Sequence, residues 1–204
     1  MPTSTSTSSA VSTITELRAV KTGSPVMVAH YDLPAQSDLF MAHAMKLNGE
    51  GYATYYTINP LRPELVNGLG LPPAAGCAAR KDVIARIQWL PYDIDPDRPV
   101  GVCATDAEKS KARQIADALM MFWQARDVEP RFVDSGNGFY VLVPVDLDVQ
   151  DESLIEQSLQ GHQRTYNTDG AHIDNISDPP RVIRIPGTMN NKGTDTKERA
   201  ASWL

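Results

Sequence analysis

Apolar and polar positions recur with two different periods along this 204-residue chain, and the period separates strands from helices. Val26–His30 (Val-Met-Val-Ala-His) reads as a strand, and the β-branched, aromatic run Tyr52–Ile58 reads as another. Between them Asp38–Leu47 repeats at helical spacing, with Leu39, Met41, Ala42, Met45 and Leu47 as its apolar side. Thr13–Val20 is expected to form a short helix. A Pro/Gly-rich connection runs from Leu61 to Ala79, a length that inside a compact domain predicts a functional or mobile loop. Lys81–Ile87 fits a helical turn or a strand. It leads through Trp89-Leu90-Pro91-Tyr92 into a strand that holds Asp93 and Asp95.

Thr105–Arg126 carries the clearest helix. Thr105 followed by Glu108 is a capping box, and Ile115, Leu119 and Phe122 recur on one face. Met120, Met121 and Trp123, at the same spacing, read as core. Pro130–Asp134 and Phe139–Val145 flank Ser135-Gly136-Asn137-Gly138, which predicts a hairpin. Alternation places Phe139, Val141 and Val143 on one face and Tyr140, Leu142 and Pro144 on the other. Asp151–Tyr166 closes the series as a helix with Leu154, Ile155 and Leu159 as its apolar points. Together these elements describe a mixed α/β chain whose sheets are covered by helices on at least one side.

Composition adds bounds. With 42% apolar and 22% charged residues the chain is ordinary for a globular domain, and its length suits one domain with a substantial core. Met1–Ser12 is Ser/Thr-rich and is expected to be a disordered tail before a single domain over residues 13–204. No apolar run is long enough to span a bilayer and no apolar signal core opens the chain. Cys77 and Cys103 match no ligand or redox spacing, so the expectation is a cytoplasmic protein with reduced thiols and no membrane partner.

The net charge of −6 argues mildly against a dedicated nucleic-acid binder, but its distribution changes the picture. Eight acids lie between Val145 and Pro180 against Arg164 alone, and then Arg181, Arg184, Lys192, Lys197 and Arg199 oppose only Asp195 and Glu198. A basic run beside an acidic cluster suits an anionic ligand held partly through metal ions.

Three stretches carry candidate chemistry. Asp93 and Asp95 share a strand face at i, i+2, where two carboxylates repel unless a cation lies between them. Mg²⁺ takes such carboxylates and completes its octahedron with water or phosphate oxygens. Taken alone, the pair reads first as a loop acid pair before an Asp-Pro turn, and its weight comes from what lies downstream. The turn Ser135-Gly136-Asn137-Gly138 lets backbone amides approach an anion, but taken alone it reads first as an ordinary hairpin turn. Tyr140 stands close by, with its hydroxyl open to a ligand or its ring lining the core edge. Ile173-Asp174 adds a third acid. Arg181, Arg184, Asn190 and Lys192 surround a second donor-rich turn, Pro186-Gly187-Thr188.

In this order Asp93-Ile94-Asp95, Ser135-Gly136-Asn137-Gly138-Phe139-Tyr140, Ile173-Asp174 and the run Arg181 to Lys192 resemble the motifs of the archaeo-eukaryotic primase superfamily. The nearest likeness is to primase-polymerase domains of plasmids, phages and mobile elements. It spans about Val26 to Gly193, with the Arg-x-x-Arg-x-Pro-Gly-Thr-x-Asn-x-Lys run its most specific part. The resemblance implies an α/β (α+β) fold: an RRM-like antiparallel sheet as catalytic core, about residues 89–200, joined to a smaller N-terminal α/β unit, about 13–88. It implies template-directed nucleotidyl transfer in which Asp93, Asp95 and Asp174 ligate two Mg²⁺ or Mn²⁺ ions. Ser135, Gly136, Asn137, Gly138, Tyr140, Arg181, Arg184, Asn190 and Lys192 would hold the nucleotide. A single-stranded DNA template, NTP or dNTP, and a replicative helicase in cis or in trans are the implied partners. The chain ends at Leu204 without the accessory region that often follows such domains, so an excised domain or a small stand-alone protein is expected.

One position departs from the family pattern. The second motif usually has a histidine where this chain has Tyr140, whose hydroxyl donates one hydrogen bond but carries no charge near neutral pH. Two alternatives follow, a lapsed nucleotide- or DNA-binding module and a metal-dependent nuclease using a similar carboxylate cluster.

Overall fold

The computed structural model describes residues 13–191 and 200–204; the Ser/Thr-rich segment 1–12 and Lys192 lie outside the described residues. Among the described residues ten strands, β1 (Thr13–Val20), β2 (Met27–Leu33), β3 (Ala53–Thr57), β4 (Ala74–Ala75), β5 (Ile87–Pro96), β6 (Arg131–Asp134), β7 (Phe139–Leu147), β8 (Ala171–Ile173), β9 (Val182–Arg184) and β10 (Ser202–Trp203), form two antiparallel sheets. The first has the order β4-β2-β1-β3-β9 and the second β10-β6-β7-β5-β8. Three helices accompany them: α1 (Ser37–Gly49), α2 (Asp106–Gln124) and α3 (Glu152–Tyr166). This is the expected mixed α+β class. No helix among the described residues is long and apolar enough to cross a membrane.

Residues 13–20 form a strand, not the expected helix. Thr13, Ile14 and Thr15 are β-branched or stiff at χ1 and favour extended backbone. Successive side chains alternate, Leu17 and Ala19 to one face, Glu16 and Arg18 to the other, and β2 and β3 pair along its two edges. A central strand is buried on both faces, so it lacks the simple apolar/polar alternation that marks a half-exposed one.

The helix α1 is present, but its buried stripe is Phe40, Ala44 and Leu47, at i, i+4, i+7; Leu39 and Met45 are exposed. Two apolar stripes compete on this helix, and the one bearing the aromatic ring packs on Leu17, Ala19, Ala29 and Tyr31. The capping box of Thr105 with Glu108 forms as expected. Met120 and Trp123 pack on the core, whereas Met121 is exposed, as is Leu154 of α3. The connection 61–79 is laced to the first sheet: β4 pairs with β2, Gly70 N–H donates to His30 O and Ala79 N–H to Glu16.

In the second sheet, α2 and α3 cover one face. Leu90, Tyr92 and Ile94 of β5, Phe139, Val141 and Val143 of β7, and Ala171 and Ile173 of β8 point into that core with Ile115, Leu119, Ile155 and Leu159. The other face therefore carries Asp93 and Asp95, Tyr140 and Leu142, and His172. The edge strand β9 of the first sheet lies against it, where Ile183 and Ile58 pack with Val133, Tyr140 and Leu142.

Candidate active site

The register of the second sheet sorts its open face into rows. Asp93 lies opposite Tyr140 on one side, and on the other the amide of Asp174 donates to Asp93 O at 2.8 Å. Tyr140, Asp93 and Asp174 therefore make one row. Asp95 lies opposite His172, and Gly138 follows the same register across from it, so Gly138, Asp95 and His172 make the next. The three acids named from the sequence are thus neighbours, two on β5 and one just past the end of β8, held there by backbone bonds.

Gly138 permits this closeness. A Cβ at that position would lie 2.3 Å from Ile94 O and 2.4 Å from Asp95 Oδ1. No side chain fits, so the residue that leads into β7 is one without a side chain.

His172 carries no motif. Its Nδ1 lies 2.8 Å from Asp97 Oδ1 and its Nε2 3.1 Å from Asp174 Oδ1. Spacing alone gives it away, because His172 and Asp174 are i, i+2 on one strand face, as Asp93 and Asp95 are. Among the described residues, no three His, Cys, Asp or Glu side chains already converge at metal-holding distance. The donors available are nonetheless carboxylate oxygens on one face, two from β5 and one opposite, which is the chemistry a hard divalent ion requires.

Tyr140 is buried, its ring among Leu142, Ile183 and Val133. Burial pushes its hydroxyl well above the ordinary value near 10, and Asp93 adds to the rise while Arg184 opposes it. It is a neutral phenol beneath the acids. Arg184, only 2% exposed, stacks its guanidinium 4.9 Å over the Tyr55 ring and donates from Nη2 to Tyr55 Oη at 3.0 Å. Its Nη1 is buried with no hydrogen-bond partner. Arg184 reaches this place because β9 leaves the second sheet's sequence neighbourhood and pairs with β3, Arg184 opposite Tyr55.

Other expected residues are elsewhere or otherwise engaged. Arg181, at the far end of β9, pairs with Asp178. In the turn 135–138, Ser135 N–H donates to Gly138 O, Gly136 N–H to Asp134 Oδ1 and Gly138 N–H to Ser135 Oγ. Three of its four amides therefore bond within the hairpin. Asn137 is buried and accepts from the Ala104 amide, which fixes the entry to α2. Asn190 Nδ2 donates to Ser135 O, joining the second turn to the first.

An open cleft of about 920 Å³ lies between the sheets beside the acids. Val20, Lys21, Ala53 and Tyr55 form one wall; Asp95, Asp97, Arg98, Val100 and His172 form the other. Lys21 and Tyr55 sit in stretches that carry no motif, and only pairing of distant strands brings them to the acids.

No protein-family model matches the chain, and no curated protein matches it by sequence. Among solved structures, the polymerase domain of Mycobacterium tuberculosis ligase D, determined in complex with DNA, is similar over 94% of this chain and 74% of its own, with a TM-score of 0.52 and 11% identity. Two antiparallel sheets, three helices and an acid-bearing sheet face opening on a cleft thus make up a chain that shares the fold of that polymerase domain.

Proposed function

We propose that this protein is a nucleotidyltransferase of the archaeo-eukaryotic primase type, acting on a single-stranded DNA template with NTP or dNTP. The observation that carries the reading is the row arrangement of Asp93, Asp95 and Asp174 on the open face, inside a fold shared with a polymerase domain. That domain belongs to the same superfamily. The plasmid, phage or mobile-element setting, and a helicase as partner, rest on the motif likeness alone.

In this reading Asp93 and Asp95 hold two Mg²⁺ or Mn²⁺ ions, and Asp174 completes one ligand set. Bound there, such ions lower the pKa of an attacking hydroxyl and neutralise charge on the phosphates. The 3′-hydroxyl of a primer or nucleotide attacks the α-phosphate of the incoming nucleotide, the bond to the β-phosphate breaks, and pyrophosphate leaves. Arg184, which has a buried nitrogen without a hydrogen-bond partner and lies close enough to Tyr140 to act on its hydroxyl, receives the phosphates. Lys192 and Asn190 assist, and the 135–138 turn contributes by holding β7 against β5. Template contacts run along the cleft through phosphates and do not read sequence.

Burial of Tyr140 favours one rival. A neutral phenol under the acids adds no charge to the phosphates, which suits a module that binds nucleotide or DNA without turnover. Incubation with single-stranded template, labelled nucleotides and Mg²⁺ or Mn²⁺ separates the readings. Template-dependent products that vanish in Asp95→Ala support the enzyme. Nucleotide or DNA binding without products supports the rival, and shortened template points to a nuclease.

A further inference from the structure

His172 is an ionisable side chain of the acid-bearing face that no motif contains. It lies directly opposite Asp95 in the register, and each of its ring nitrogens rests on a different carboxylate, Asp97 at 2.8 Å and Asp174 at 3.1 Å. The backbone of Asp97 is fixed, since its amide donates to Gly170 O at 3.0 Å one step beyond the paired residues of β5 and β8. The chain of contacts therefore runs from backbone to Asp97, to the imidazole, to Asp174. Asp174 needs such support more than its partners do. Asp93 and Asp95 stand within a ten-residue strand, whereas Asp174 follows the last residue of the three-residue β8, and its carboxylate is 42% exposed.

Resting on the nucleotidyltransferase reading, we propose that His172, braced by Asp97, is a positioning residue that orients the Asp174 carboxylate for divalent-ion binding. Ligating carboxylates are generally held by such outer partners, and loss of one typically lowers metal affinity by about 10–100-fold. The imidazole does not touch the reacting atoms. It restricts a half-exposed side chain to the rotamer that meets the imidazole, so the ordering entropy is met during folding and not on ion binding.

The test is Mn²⁺ affinity, read by electron paramagnetic resonance or calorimetry on wild type, Asp95→Ala, His172→Ala, His172→Gln and His172→Asn, each checked for an unchanged melting transition. His172→Ala is expected to bind Mn²⁺ about 10–100-fold more weakly. Glutamine places its amide nitrogen near the Nε2 position and restores the contact to Asp174, so His172→Gln should recover most of the affinity. Asparagine mimics Nδ1, keeps only Asp97, and should not. In nucleotide incorporation the His172→Ala defect should shrink as Mn²⁺ is raised, which a merely structural defect would not do. Equal or tighter Mn²⁺ binding by His172→Ala, with wild type binding and Asp95→Ala not, overturns this role and leaves the enzyme reading standing. Wild type that binds no Mn²⁺ overturns both.

Discussion

The two sheets have the same size and the same antiparallel build, yet they treat charge in opposite ways. The first sheet sinks it. Glu16, with no exposed surface, accepts from Arg18 Nε at 2.7 Å and from the Ala79 amide at 2.7 Å, and Arg184 is buried two strands away in the Arg18–Tyr55–Arg184 row. The second sheet buries only apolar side chains on its helix-covered face, and its acids stand half-buried on the other. A buried charge survives only when its neighbours fix it, and once fixed it is structural. A half-buried acid keeps the contact with water that exchange with a ligand needs. Arg184 departs furthest from this pattern: it is the more deeply buried of the two arginines in that row, and like Arg18 it keeps a buried nitrogen without a hydrogen-bond partner.

The largest effect expected from this contrast lies on the second sheet. Asp95→Ala should abolish nucleotide incorporation without harming the fold, because it relieves repulsion from Asp93 in the ion-free protein. The melting temperature should hold or rise. Wild-type incorporation by Asp95→Ala would place the chemistry elsewhere and dissolve the contrast between the sheets.

Gly138→Ala tests how tightly the acid rows are built. Its Cβ meets backbone at 2.3 Å, and a carbonyl oxygen in a paired strand cannot step aside as a side chain can. Strain of this kind costs about 1–3 kcal/mol, so the melting temperature should fall by several degrees. Incorporation should fall as well, since β5 is displaced at Asp95. A variant with unaltered melting and activity would show that the strands have slack there.

Much of this arrangement was legible in the sequence, and the reasons differ by residue. Asp93, Asp95, Tyr140 and the apolar positions between them follow from period-two alternation, a local property of one strand. The hairpin and the α2 capping box are likewise local. The strand at 13–20 was illegible because a strand buried on both faces loses its alternation. The buried stripe of α1 was misread because two stripes compete and the choice is made by residues far away. Arg184 could be named as a cation, but not as buried beneath Tyr55, since that depends on β9 pairing with β3 across more than a hundred residues. In the turn 135–138 three amides bond within the hairpin, a use that the spacing of its glycines does not reveal.

Arg184→Met sharpens the comparison at its exception. Methionine keeps the aliphatic stem and most of the packing but deletes the cation. A charge-assisted bond to phosphate contributes about 1.5–3 kcal/mol, so nucleotide binding should weaken by roughly tenfold or somewhat more. Stability should change little, because a guanidinium nitrogen without a partner is removed along with the bond to Tyr55. Fluorescent-nucleotide titration and thermal melting measure both. Unchanged nucleotide affinity with a collapsed melting temperature would return Arg184 to the structural charges of the first sheet.

The smallest effect is in the pH dependence of stability, and it places one histidine on each side of the comparison. His162 of α3 lies over the helix-covered face of the second sheet, edge-on to Phe122 at 4.9 Å, with Nδ1 2.8 Å from Ser158 O and 3.0 Å from Tyr92 Oη. Burial lowers its pKa below 6.5, the Ser158 bond opposes the shift, and Arg126 adds to it. His30, on the charged face of the first sheet, is lowered by burial as well, with Glu16 opposing. For both, the unfolded chain binds a proton more readily than the folded one. Their contribution is therefore present above about 6.5 and is lost as pH falls from there through the lowered folded values. Melting temperature should decline across that acid window, and His162→Gln and His30→Gln should each flatten part of the decline, the double variant more than either. If both single variants keep the wild-type slope, the acid sensitivity comes from carboxylates. The two faces would then differ in the charges they bury, and not in how they respond to protons.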